Sequence, residues 1–112
     1  MINFEVIFED LKKKVLELAK DLLKENIIQA EKECEAFLDS LKEDVKIWTN
    51  ALEEGKINQE EFEYLIKTQI QTFECMKLHQ QGVAKVKIEL FKNRLLDLLL
   101  NTIIDNLSFS IS

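Results

Sequence analysis

Apolar residues recur every three or four positions along almost the whole chain, which is the pattern of helices with one buried face. One stripe runs from Phe8 to Leu52, and a second begins at Phe62. The step from Leu22 to Ile27 leaves the phase, which predicts a stutter or mild bend. The sequence therefore predicts an all-α fold with helices at about 4–54 and 59–106, in a single helical domain spanning residues 1–112.

A strong turn signal separates the two stripes. Gly55 suits the left-handed position that ends many helices, because it carries no Cβ. Asn58 suits the N-cap of the next helix, and Glu61 stands three residues later, as in a capping box. These residues predict a tight connection between two antiparallel helices, each about 70 Å long. The expected architecture is a long helical hairpin.

The end of the second helix carries apolar residues around most of its circumference, and one hairpin partner does not cover such a surface. We expect it to bind a second copy, so that two hairpins form a homo-oligomer, most simply a dimeric four-helix bundle. The expected interface comprises Phe4, Phe8, Leu95, Leu96, Leu99 and Ile103. The expected seam inside the hairpin comprises Phe37, Leu41, Trp48, Phe62, Phe73 and Met76.

An alternative architecture uses the same pattern differently. If the chain folded back near Asn26 and near Gly82, four shorter helices would make a compact monomeric four-helix bundle. Residues 77–83 contain a glycine that suits one of these loops. Residues 23–28 contain no glycine, proline or serine for the other, so the hairpin is the first prediction.

Composition and charge narrow the possible functions. The chain has no proline and two glycines, too few turn formers for a β or α/β fold. Residues 25–54 hold nine acidic and three basic residues, an acidic surface that would suit a basic protein partner. No basic footprint for nucleic acid is present. Residues 83–107 combine basic and apolar side chains, so peripheral binding to an anionic membrane is a second hypothesis.

One cluster of potential metal ligands emerges from the hairpin register. Cys34, Cys75 and His79 would converge, and thiolates with an imidazole suit Zn²⁺ or Cu(I). The spacing matches no established zinc motif, and buried cysteines are commonly small core residues. His79 would otherwise be a polar core residue that sets the register. We therefore expect no metal and no cofactor, and keep the metal-binding bundle as a third hypothesis.

No motif for nucleophilic catalysis or phosphate binding occurs, so we expect no enzymatic activity. The N-terminus has no basic region ahead of an apolar core, and two cysteines do not make a disulfide framework. We expect a cytoplasmic protein with reduced thiols. The predicted function is that of a non-enzymatic helical interaction or assembly module, a scaffold or adaptor that self-associates through apolar helix faces.

Overall fold

The computed structural model of the chain consists of helices joined by short connections. It describes residues 4–73 and 76–111, with side chains for residues 4–73 and 78–106. Every regular element in these residues is helical, which confirms the predicted all-α class. The α-helices are α1 (Phe4–Leu22), α2 (Ile27–Glu53), α3 (Gln59–Thr72), α4 (Met76–Gln80) and α5 (Lys85–Ile111), and a 3₁₀ turn (Lys24–Asn26) precedes α2.

The two uninterrupted long helices predicted from the stripes are not observed. The first pattern divides into α1 and α2, and the second divides into α3, α4 and α5. The longest dimension of the molecule is 44 Å, well below the length of about 70 Å expected for unbroken helices. The break between α1 and α2 includes Asn26 and the break between α4 and α5 includes Gly82, the positions named in the alternative prediction, whereas the break between α3 and α4 was not predicted. Folding back buries apolar residues that a long helix would leave exposed, and this stabilises the shorter helices.

Four of the helices are neighbours in a closed ring. Helix α1 packs against α2 and α5, helix α3 packs against the same two helices, and the short α4 packs against α2. Ion pairs show that α1 and α2 run antiparallel, because Lys12 contacts Asp39 whereas the earlier residue Glu5 contacts the later Lys42. The apolar stripes of all four long helices therefore point towards one shared interior.

The interior is one cluster of buried apolar side chains. Among the described residues, every α-helix contributes to it. Its largest fully buried rings are Phe8, Phe62 and Phe91. Phe37 and Phe73 stack with ring centroids 4.2 Å apart, so α2 and α3 meet close to the predicted seam. Of the other seam residues, Leu41 and Phe62 are buried and Trp48 is half-buried, while the side chain of Met76 lies outside the described residues.

Leu23, and not Leu22, is the buried residue at the end of the first stripe. Counting from Leu23, the next apolar positions are Ile27 and Ala30, at steps of four and three, so the stripe keeps its phase. The predicted stutter arose from choosing Leu22. The helix breaks at this point although its apolar pattern continues through the break.

Two of the connections end their helices with a glycine in the left-handed conformation. At Gly55, φ is 77°, and the amides of Gly55 and Lys56 donate to the carbonyls of Leu52 and Ala51, the double hydrogen bond of a Schellman motif. Gly82, with φ of 82°, ends α4 in the same way, with bonds from the amides of Gly82 and Val83 to His79 and Leu78.

The α1–α2 connection, residues 23–26, has no Schellman motif at a glycine and no side-chain cap. It contains no glycine, and the N-cap positions Leu23 and Asn26 make no side-chain capping hydrogen bond. Its tertiary tie is a 2.6 Å hydrogen bond from Asn26 Nδ2 to Gln81 Oε1, which joins it to the turn after α4. Two backbone hydrogen bonds, from the amide of Leu23 to Ala19 and from the amide of Asn26 to Leu23, packing and one surface hydrogen bond therefore hold the shape of this connection.

Candidate interaction surface

The residues predicted to form an intermolecular interface lie mostly inside the chain. Leu95, Leu99 and Ile103 are completely buried, and Phe4 and Phe8 are buried with them. Leu96 is half-buried and packs against the core. Truncating a fully buried leucine usually costs about 2–5 kcal/mol of folding free energy, so these side chains stabilise the fold itself. A surface for partners must be sought among other residues.

The predicted metal ligands are not brought together among the described residues. Cys34 is buried on α2, whereas His79 is exposed on α4. The prediction that His79 faces the core is wrong, because Leu78 is the buried residue of that helix. Cys75 lies outside the described residues, so its part in the hypothesis stays a prediction. In the described part of the chain no three potential ligands group together.

A charged network covers the outer edge of the α1–α2 interface. Lys12 Nζ lies 2.9 Å from Asp39 Oδ1, and Lys42 Nζ lies 2.6 Å from Glu5 Oε2. Both ammonium groups also lie within 5.8 Å of the centroid of the Phe8 ring, one from each helix. At this distance a cation is attracted by the face of the ring. The buried ring is thus covered by two ion pairs that cross between the helices.

Hydrogen bonding in this network shifts the pKa of three groups. The bond from Lys42 lowers the pKa of the Glu5 carboxyl, and the same bond raises the pKa of Lys42. The bond to Asp39 raises the pKa of Lys12. All three shifts favour the charged forms, so the network is formed at neutral pH.

An open groove between α1 and α5 is a candidate surface for a partner helix. It has a volume of about 450 Å³, and the half-buried Leu18 and Leu98 lie in its lining. The polar residues that line it with them are Lys14, Glu17, Asp21, Arg94, Asp97 and Asn101. A second depression continues along the same helix pair, between residues 5–13 of α1 and Asn106 of α5. The two depressions together follow most of the length of α1.

The rim of this groove carries both signs of charge. Lys14 is paired with Asp10 at 3.0 Å and Glu17 with Lys20 at 3.8 Å, so these ion pairs run along α1. Both pairs are exposed and are worth little to folding. Arg94 and Asp97 on the facing helix are exposed as well. The sequence patterns did not single out this groove, because they assign Leu18 to the apolar stripe of the first helix and Leu98 to the apolar end of the second.

Smaller apolar features lie elsewhere on the surface. Val86 is 82% exposed between Lys85 and Lys87, and Leu90 is 41% exposed one turn later. In this part of residues 83–107, exposed apolar side chains lie beside basic ones, as the membrane hypothesis requires. Binding to a membrane stays a prediction. Within the described helices, no segment has the length and apolar character needed to cross a membrane.

The acidic 25–54 surface is only partly available to a partner. Asp39 is engaged by Lys12, and Glu31 and Glu33 are half-buried. Glu43 and Asp44 are exposed near the middle of α2. Tyr64 is exposed on α3 in a shallow depression of about 310 Å³ that Ile57 and Leu65 also line. Each of these features is smaller than the α1–α5 groove.

No protein-family model matches the chain, and comparison with curated proteins and with solved structures finds no match either.

Proposed function

We propose that the protein is a non-enzymatic four-helix bundle that serves as an assembly module by associating with a second copy of itself. The observation that carries the proposal is the α1–α5 groove, with Leu18 and Leu98 in its lining and charges of both signs on its rim. A groove between two antiparallel helices is a common docking surface for a third helix. Self-association is the function that this surface supports best.

The rim charges favour a second copy over a partner of a single charge sign. Lys14 and Arg94 would repel a basic partner, and Glu17, Asp21 and Asp97 would repel an acidic one. In a twofold-symmetric dimer the same surface occurs on both subunits, so basic residues of one copy can face acidic residues of the other. Permanent interfaces are more apolar than this groove, whose lining is mostly charged or polar, and this favours a reversible dimer.

The test is the molar mass measured by light scattering after size exclusion, over a series of protein concentrations. We expect a monomer of 13.1 kDa at low concentration and a dimer at high concentration. Asp97→Lys should shift the equilibrium to monomer by about tenfold in the dissociation constant, since like charges then meet across the interface.

The matched control is Glu43→Lys, which changes the net charge equally at an exposed position on α2. It should leave the dissociation constant within about twofold of the unchanged protein, as expected for a charge outside the interface. Equal effects of the two variants would show that overall charge, and not the groove, controls association. A monomer at every concentration would contradict the proposed function.

A further inference from the structure

We propose that α1 exchanges between two copies of the chain, so that residues 4–53 become one continuous helix and each α1 packs in the other copy. The inference rests on the proposed self-association and adds a second form of it, in which α1 of a second copy takes the place of the chain's own α1 beside α2 and α5. The argument uses the end groups of the helices, the phase of the apolar stripe and the register of the ion pairs.

The α1–α2 connection leaves helix ends without their usual partners. A helix end has up to four backbone N–H or C=O groups with no partner inside the helix. Neither Leu23 nor Asn26 supplies a side-chain cap for such groups. If residues 23–26 became helical, the amides at the start of α2 would bond to carbonyls at the end of α1. The connection already holds backbone hydrogen bonds from the amide of Leu23 to the carbonyl of Ala19 and from the amide of Asn26 to the carbonyl of Leu23. A continuous helix would keep the first bond, replace the second and add bonds for the amides at the start of α2.

The buried residues keep their helical phase across the connection. Ala19 and Leu23 before the break and Ala30 and Cys34 after it are all buried, at steps of four, seven and four. These are the steps of one continuous apolar face. A straightened helix would thus present to the interior the same side chains that α1 and α2 present separately.

The ion pairs between α1 and α2 have a register that a dimer would preserve. Lys12 pairs with Asp39 and Glu5 with Lys42, and the midpoint of each pair falls within residues 23–26. Two long helices crossing antiparallel about a twofold axis at these residues bring the same pairs together between chains. The contacts of α1 with α2 and α5 are then remade with the partner, and the hydrogen bond between Asn26 and Gln81 is given up.

The connections at Gly55 and Gly82 do not offer this opening. Gly55 and Gly82 hold left-handed conformations with two backbone hydrogen bonds each, and a glycine inside a helix is unfavourable. The groove lies next to the connection that opens, since Asp21 in its lining is two residues from Leu23. Association through the groove would therefore bring two α1–α2 connections close to one another.

The experiment uses the full chain in two isotopic forms, with natural nitrogen and with ¹⁵N, unfolded together and refolded at low and high concentration. A water-soluble carbodiimide then couples Lys12 Nζ to the Asp39 carboxyl. The new amide forms as the carbodiimide takes up the elements of water and leaves as a urea. The two side-chain atoms lie 2.9 Å apart, so the coupling needs no spacer.

Mass spectrometry of the linked peptides separates the possible dimers. In an exchanged dimer, Lys12–Asp39 links join unlike isotopes in the statistical proportion, because each link joins two chains. In a dimer formed only through the surface, every such link joins like isotopes; that result would overturn the exchange and leave the proposed self-association standing. A monomer at both concentrations would overturn both.

Variants of the α1–α2 connection test its role. Lys24→Pro prevents a continuous helix but suits the first position of the 3₁₀ turn, so it should reduce the links between unlike isotopes by more than about tenfold. Glu25→Gly keeps every amide and should act in the same direction, which guards against misfolding of the proline variant. Circular dichroism checks that both variants fold.

A matched pair separates the helix from the surface hydrogen bond. Asn26→Ala removes the bond to Gln81 and raises the helical propensity of the connection, whereas Gln81→Ala removes the bond alone. Both variants should give a higher yield of links between unlike isotopes than the unchanged chain, and the increase should be larger for Asn26→Ala. If Lys24→Pro and Asn26→Ala give the same yield of unlike-isotope links as the unchanged chain, the connection does not control the exchange and the inference is wrong.

Discussion

Thr49 brings a hydroxyl group into the apolar interior. Its side chain is buried on α2, and Oγ1 has no hydrogen-bond partner among the described residues. A buried polar group that makes no hydrogen bond usually destabilises a fold by about 1–3 kcal/mol. Thr49→Val has nearly the same shape without the hydroxyl, so we expect it to raise the free energy of unfolding by about 1 kcal/mol in urea denaturation.

The control for this prediction is Thr68→Val. The hydroxyl of Thr68 donates to the carbonyl of Tyr64 at 2.8 Å, so its loss removes a hydrogen bond that is formed. We expect no gain in stability there. A stabilisation of the same size at both positions would mean that the apolar methyl group, and not the unpaired hydroxyl, explains the result at Thr49.

The ion pair between Glu5 and Lys42 should make stability depend on pH. The hydrogen bond from Lys42 holds the pKa of Glu5 below its ordinary value in the folded state. The stabilisation is therefore complete above the unfolded-state pKa of about 4.3 and is lost as the pH falls through the lowered folded-state pKa. The raised pKa of Lys42 predicts a second loss, as the pH rises through that value above about 10.4.

Urea denaturation of the unchanged chain and of Glu5→Gln from pH 7 to pH 2.5 measures this effect. The variant should be less stable at pH 7, and the difference should disappear at the acid end. Glu17→Gln is the control, because the pair of Glu17 with Lys20 spans 3.8 Å on one exposed helix. A difference between Glu5→Gln and the unchanged chain that stays constant over the whole range would contradict the role given to the ion pair.

The start of α3 shows local chemistry that defines a helix end. The side chain of Asn58 accepts a hydrogen bond from the amide of Glu61 at 2.8 Å, and the side chain of Glu61 accepts one from the amide of Asn58 at 3.1 Å. Asn58→Ala removes one half of this capping box. We expect a loss of about 1 kcal/mol in the free energy of unfolding, the usual effect of removing an N-cap.

The neighbouring residue Gln59 provides the comparison. Its side chain is exposed and makes one long bond of 3.5 Å to Glu63, so Gln59→Ala should change stability by less than about 0.5 kcal/mol. Thermal melting of both variants distinguishes them. Equal losses would show that the surface of this turn, and not the cap, determines stability there.

The cap was predictable because all its partners lie within three residues of one another. The same holds for Gly55, whose missing Cβ permits the positive φ that the turn requires. The break at Asn26 appeared only in the alternative prediction of a compact bundle, and the first prediction was an unbroken helix. Residues 23–28 contain no glycine, proline or serine, and the apolar stripe continues through them, so we attribute the break to the contacts between helices.

The α1–α5 groove could be found from the sequence only in part. Leu18 belongs to the predicted apolar stripe of the first helix and Leu98 to the apolar end of the second, and half-buried residues of this kind often line the edge of a helix contact. Their position opposite one another depends on α1 and α5 being antiparallel neighbours. In the predicted hairpin these helices were parts of two long elements, and the surface between them was assigned to other residues.

For the whole molecule, the monomer and the proposed exchanged dimer use the same helices and the same buried side chains. They differ in whether α1 meets its own chain or a second one. Association costs several kcal/mol of translational and rotational freedom, and the cost falls as concentration rises. The two forms should therefore be related through protein concentration and through the conformation of residues 23–26.

The all-α class, the turn at Gly55 and the identity of the buried face follow from the sequence, because periodicity and capping act within a few residues. The sequence did not decide whether a second copy or the chain itself covers Leu95, Leu99 and Ile103. Hydrophobic burial is non-directional, so any apolar surface can cover them. The structure places them inside the chain because a break at residues 23–26 lets α1 fold back onto α2 and α5. Sequence patterns report which face is apolar, and long-range packing selects what covers it.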